Sequence, residues 1–180
     1  MPFDYKHLDD RTRAFMLAEI DLDVTSNSLY LSENLSDHGR IAYPDLLRAA
    51  ARNGTDHTLA TDIRTLLSTH EKPRLSKSGN AFTPKMRSNA HEMLGEGEFN
   101  RFYIRGLCLR AIEDGIPDVE VYRAKPVDSP RPESQALIGQ RIKAEALLQD
   151  LRARTNVEPA LGCPPGPNSG LSVRLPPDHA

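Results

Sequence analysis

Asn89–Asp114 reads NAHEMLGEGEFNRFYIRGLCLRAIED, and the way it folds sets the rest of the chain. It holds Phe99, Phe102 and Tyr103, three of the chain's ten Phe and Tyr residues, and the chain has no Trp. At about 100° per residue from Phe99, Phe102, Tyr103, Gly106, Leu107 and Leu109 fall on one broad apolar arc. Ile104, Cys108, Ala111 and Ile112 carry that arc round most of the circumference. A helix that is apolar nearly all round is buried on several sides, so this segment is expected to be the central helix of the fold. Glu98, Arg101 and Arg105 make its one coherent polar stripe. Charges on a buried helix need acceptors, so the three are expected to form structural ion pairs, with Glu98 serving Arg101 or Arg105 and a distant acid serving the other. Asn89 and Glu92 have the spacing of a capping box. Gly95 and Gly97 each cost about 1 kcal/mol inside a helix relative to alanine, which predicts two helical pieces joined at Gly95-Glu96-Gly97. Gly115 and Pro117 end the segment.

Upstream, the first forty residues are acidic, with four Lys and Arg against eight Asp and Glu. Asp9 or Asp10 can cap a helix that has Phe15, Met16, Ala18 and Ile20 on its apolar face. Ser28–Leu31 is a short strand or an extended link. Residues 44–68 read as two helices with a tight turn. Pro44 suits a first helical position, Asn53-Gly54 a stop, and Thr55 or Asp56 the next cap. Ala50 and Gly54 have the spacing of a helix-turn-helix reader. Asn53 and Thr55, however, fall where that motif wants apolar residues, and a plain helical hairpin explains the pattern as well.

Residues 70–87 change character. Lys72, Arg74, Lys77, Lys85 and Arg87 follow one another with no acid after Glu71, among Pro73, Ser76, Gly79 and Pro84. This reads as a basic loop, either a solvated connector or a contact for an acidic partner surface or nucleic acid.

Downstream of the central segment, Val119–Ala124 alternates as a strand. A helix is expected from Glu133 to Arg154, with Leu137, Ile138, Ile142, Leu147, Leu148 and Leu151 at helical spacing. From Asn156 the composition turns to Pro and Gly, which predicts an extended arm over 156–180 with one strand at Leu171–Leu175. The class that results is mainly α, with α+β as the alternative. It comprises a compact helical domain over 1–155, one or two short strands, and a Pro-rich C-terminal arm.

With 38% hydrophobic and 27% charged residues, a packed core is expected rather than global disorder. A net charge of −2 argues against a strongly basic nucleic-acid binder. Cys108 and Cys163 are too few for a disulfide scaffold. No apolar run approaches the roughly 18 residues that span a bilayer, and no leader is read, so no membrane association and a cytoplasmic location are expected. His7, His38, His57, His70, His91 and His179 form no metal spacing, and there is no phosphate loop or nucleophile elbow. No metal and no cofactor are expected. Two catalytic leads are weak. Asp118, Glu120 and Lys125 cluster near the strand but lack nuclease spacing. Cys108 with His91 would put a nucleophile among Leu107, Leu109 and Ile112, where a thiolate is disfavoured.

The expected function is therefore a non-enzymatic structural or assembly protein whose arm and loops dock on other protein subunits of a larger complex. A virus-like particle assembled in the cytoplasm is one such complex. The alternative is a nucleic-acid-binding accessory protein using the 72–87 loop and the 44–68 hairpin.

Overall fold

The computed structural model describes residues 2–153 and 169–179. The fold is mainly helical, with a few short strands in two small sheets. Helix α1 (Asp10–Thr25) starts at Asp9, whose carboxylate accepts the Thr12 N–H at 3.0 Å. Helix α2 (Asp37–Asn53) starts at Ser36, whose hydroxyl accepts the Gly39 N–H at 3.0 Å. This cap sets the helix start, so Pro44 lies inside α2 and not at its first position. The buried face of Tyr43, Leu47, Ala50 and Ala51 keeps one helical register across the proline. At its far end, Arg13 of α1 donates to the carbonyls of Ala51 and Gly54, both at 2.9 Å, and so caps α2 from outside. Helix α3 (Asp56–Ile63) opens with a reciprocal Thr55–Thr58 capping box. A 3-10 turn over Arg64–Leu66 follows it.

The ribbon of β1 (Arg74–Leu75) and β2 (Ala81–Phe82) comes next, then α4 (Ala90–Glu113). Helix α4 is continuous, and Gly95 and Gly97 do not divide it. Nor does Asn89 cap it through its side chain. The reason for Gly95 is tertiary. A Cβ there would sit 2.7 Å from the Ala60 backbone, so the glycine lets α3 and α4 approach backbone to backbone. Gly106 does the same for α1, where a Cβ would lie 2.8 Å from Met16. Packed by α1 and α3 along its length and by α6 (Ala144–Ala153), α4 is the axis of the molecule. Phe99, Phe102, Tyr103, Ile104, Leu107 and Cys108 are all buried.

Past Gly115, β3 (Asp118–Arg123) is the middle of a three-stranded antiparallel sheet. The helix expected over 133–154 is instead three elements: α5 (Pro132–Leu137), β4 (Arg141–Lys143) and α6. Gly139 takes φ +83°, a left-handed turn that stops α5 and sends Ile142 to pair with Val119. On the other side of β3, strand β5 (Leu171–Arg174) places Val173 opposite Val121 and Ser172 opposite Tyr122.

Leu171, Ser172 and Val173 are fully buried in the chain's own core. Asn100 of α4 holds this strand directly, donating to the Leu171 carbonyl at 2.9 Å and accepting from the Ser172 hydroxyl at 2.7 Å. The far end of the expected arm is thus part of the domain. The stretch of that arm up to residue 168, with Pro159, Cys163, Pro164, Pro165 and Pro167, lies outside the described residues.

Candidate functional site

The basic segment forms an antiparallel ribbon rather than an irregular loop. The Met86 N–H donates to the Thr69 carbonyl at 3.0 Å and the Glu71 N–H to the Pro84 carbonyl at 2.9 Å, which ties its base. Its tip, Ser76–Asn80, closes through the Ser76 N–H to Asn80 carbonyl bond at 2.8 Å, with Gly79 at φ +82°. The register puts Arg74 opposite Phe82 and Leu75 opposite Ala81. Arg74 and Phe82 therefore share one face, with the guanidinium 5.4 Å from the ring centre, and Leu75 points to the other. Leu75 is 71% exposed and Phe82 43% exposed. Both faces meet solvent, so the ribbon stands off the helical body.

Its five cations divide into two groups. Lys72 pairs with Glu33 at 2.5 Å, Arg87 with Glu71 at 2.8 Å, and Arg74 lies 3.9 Å from the same Glu71. Lys77, near the tip, and Lys85, on the return strand, have no ion-pair partner among the described residues. The first group fixes the base of the ribbon, and the second leaves charge toward solvent.

The 44–68 hairpin offers less. Leu59, Ala60 and Ile63 of α3 are buried against the body. Its outward positions are His57, Thr58, Thr61 and Asp62, followed by Arg64, which makes no basic stripe.

Inside the body, the polar stripe of α4 has specific partners. Arg105 is fully buried. Its Nε donates to Glu19 at 2.8 Å, and its two Nη atoms donate to the two oxygens of Asp23 at 2.7 and 2.8 Å. Arg152 of α6 donates to the same Glu19 carboxylate at 3.0 Å. Two guanidiniums and two carboxylates therefore balance where α1, α4 and α6 meet. The facing cations hold the Glu19 carboxyl below the usual range against the opposing effect of burial. The Phe102 ring lies 4.8 Å from the Arg105 guanidinium. Arg101 donates to the Leu151 carbonyl at 2.7 Å and lies 3.9 Å from Glu98.

Glu98 sits differently. It is buried, its Oε2 finds no hydrogen-bond donor among the described residues, and burial pushes its carboxyl up to about 7 despite the nearby arginines. The Tyr43 hydroxyl is buried beside this group, also without a hydrogen-bond partner among the described residues.

The residues considered for catalysis are not brought together. Asp118 pairs with Lys143 at 3.0 Å, Glu120 accepts from Arg174 at 3.1 Å, and Lys125 pairs with Glu96 at 2.5 Å. Burial pushes the Cys108 thiol far up, away from thiolate character. His91 lies on the same helix, roughly 25 Å along its axis from Cys108 at 1.5 Å per residue. Among the described residues, no group of three or more His, Cys, Asp and Glu could hold a metal ion, and no helix is long and apolar enough to cross a membrane.

Sequence reasoning missed Glu19, Asp23 and Arg152 of the buried network, and also Asn100. A signal existed for the first two. Thr12, Met16, Glu19, Ile20 and Asp23 share the buried face of α1, so its acids point inward at helical spacing. In comparisons with known proteins the chain matches no family model, no curated protein and no solved structure.

Proposed function

We propose that the protein is a non-catalytic assembly subunit whose 70–87 ribbon docks on a neighbouring copy of the chain. The observation that carries this reading is the ribbon itself, which presents Leu75 and Phe82 to solvent beside Lys77 and Lys85. Each face of the ribbon thus offers one exposed apolar side chain, Leu75 on one and Phe82 on the other, with cations close by: burying apolar atoms supplies affinity and the charges supply orientation. Its strand edges also offer unpaired backbone groups for strand addition.

Charge complementarity favours a second copy as the occupant. The chain has 23 Lys and Arg against 25 Asp and Glu, and the ribbon holds five of the former and one of the latter. The rest of the molecule is therefore acidic by six, with Asp37, Asp62 and Asp10 exposed on it. A basic ribbon on an acidic body makes a head-to-tail contact, which closes into rings or runs on into open assemblies. Such an assembly would form in the cytoplasm, and a virus-like shell is one form it could take.

Light scattering after size-exclusion chromatography tests this. The mass is expected to rise with protein concentration at about 50 mM salt and to fall back as added salt shortens the Debye length. A second arm adds a short oligonucleotide. A monomer at every concentration that forms a complex only with the oligonucleotide would replace this reading with the nucleic-acid one, for which the same basic side chains are the motivation.

A further inference from the structure

The C-terminal end of α4 and the start of α6 border a groove of about 660 Å³. Ile112, Ile116, Pro117 and Ala146 give it an apolar lining. Among the described residues outside the ribbon, Leu22, Ile41 and Ile112 are the large apolar side chains left exposed, and Ile112, at 43%, is the one that borders this groove. Main-chain bonds fix the floor. The Ala144 N–H donates to the Pro117 carbonyl at 2.9 Å, and the Ile116 N–H to the Ala111 carbonyl at 2.8 Å. Gly115, at φ +71°, makes the left-handed turn that ends α4 and returns Ile116 to the core.

The charge around the groove is negative. Lys143, in its lining, is occupied by Asp118 at 3.0 Å. Glu145, also in the lining, is exposed and has no ion-pair partner among the described residues. Next to Ile112, Glu113 and Asp114 share Arg11, at 3.0 and 2.6 Å. Arg110 lies 3.8 Å from Asp114 and is held closer by Asp9, at 2.6 Å.

Ribbon and groove belong to opposite ends of the molecule's axis. The ribbon leads into the start of α4, and the groove lies at its finish. From Ala90 to Ile112 the axis runs roughly 33 Å at 1.5 Å per residue. Leu75 and Phe82 stay exposed, so the ribbon does not fill the groove of its own chain. Leu75 and Ala81 are opposite one another in register and share the ribbon face that lacks Arg74.

We propose that this groove is the seat of a second copy's ribbon, with the Leu75–Ala81 face laid on Ile112 and Ala146 and Lys77 brought to Glu145. The inference rests on the assembly reading above and names the surface that receives the ribbon. Apolar faces meet at the centre and an unpaired cation meets an unpaired acid at the edge. Because the two surfaces differ and sit at opposite ends, the contact is head-to-tail, and every added chain presents one free ribbon and one free groove.

The test is light scattering of full-length variants at about 50 mM salt, where charge pairing is least screened. Ile112→Glu and Leu75→Glu should each weaken association at least about tenfold, the size of one well-buried interface side chain. Mixed in equal amounts, they should form a complex of two chains and nothing larger, because one keeps its ribbon and the other its groove. Glu145→Lys should weaken association several-fold, and Lys77→Glu in the same chain should restore it. Should Ile112→Glu lower the melting temperature, the exposed Ala146→Arg decides, with the same expected loss in a folded protein. A parent chain that stays monomeric would overturn the assembly reading and this seat with it. A parent that associates, with Leu75→Glu disrupting it and the groove variants leaving it unchanged, would overturn the seat alone. So would a mixture of the two single variants that stays monomeric.

Discussion

Arg105 is the side chain on which three helices agree. Its guanidinium is fully buried and meets Glu19 and Asp23 of α1, while Arg152 of α6 completes the charge balance on Glu19. Removing one member of such a set costs more than its attraction is worth, because the remaining charges stay buried without compensation. Arg105→Met, close in bulk and uncharged, leaves the two acids facing Arg152 alone. It is expected to destabilise the protein by about 3–5 kcal/mol in denaturant unfolding.

Glu98, about two turns before it on α4, has the opposite character. Its folded pKa of about 7 lies above its ordinary 4.5, so the folded state holds a proton that the unfolded state has released between those values. The folded protein therefore binds more protons than the unfolded one, and this group makes stability fall as pH rises from about 4.5 to 7. Glu98→Gln removes the titration. Relative to the parent, the variant is expected to be about 2–3 kcal/mol more stable at pH 8 and nearly equal at pH 5. An identical difference at both pH values would contradict the assignment. The sequence showed that this stripe needs acceptors. It did not show which ones, because Glu19 and Asp23 lie far along the chain and only the packing of α1 on α4 brings them in.

Among the elements, α4 shows how tertiary contact overrides local preference. Two glycines within three positions predict a break, and the helix runs through both. Gly95 has a physical reason, since any Cβ would meet the Ala60 backbone at 2.7 Å. Gly97 has nothing within 4 Å of that position and carries only the propensity cost. The two substitutions should therefore differ in sign. Gly97→Ala is expected to raise stability by about 0.5–1 kcal/mol, and Gly95→Ala to lower it by about 1–3 kcal/mol through overpacking. Equal effects in thermal melts would show that α3 does not press on α4 as described.

The same overriding explains the 133–154 segment, whose apolar spacing mimics one helix. Leu147, Leu148 and Leu151 do fill a helix face. Ile142 belongs to a strand, because the left-handed turn at Gly139 reverses the chain before it. Strands of two or three residues leave too little alternation to read, which is why β4 and the ribbon were not visible while the longer β3 and β5 were.

At the scale of the whole molecule, the legible features were the buried central helix, the mainly helical class and the placement of basic charge. The unread features were relations between distant segments: the return of β5 into the core and the shape of the 70–87 segment. The functional account rests on the second of these, on the ribbon being both separate from the core and the element that docks. Replacing residues 72–85 with a short turn between Glu71 and Met86 tests both halves at once. Mass by light scattering and melting temperature are measured on the same sample. The account predicts a protein that melts as the parent does and stays monomeric at concentrations where the parent associates. A shortened protein that still assembles, or one that melts well below the parent, would contradict it.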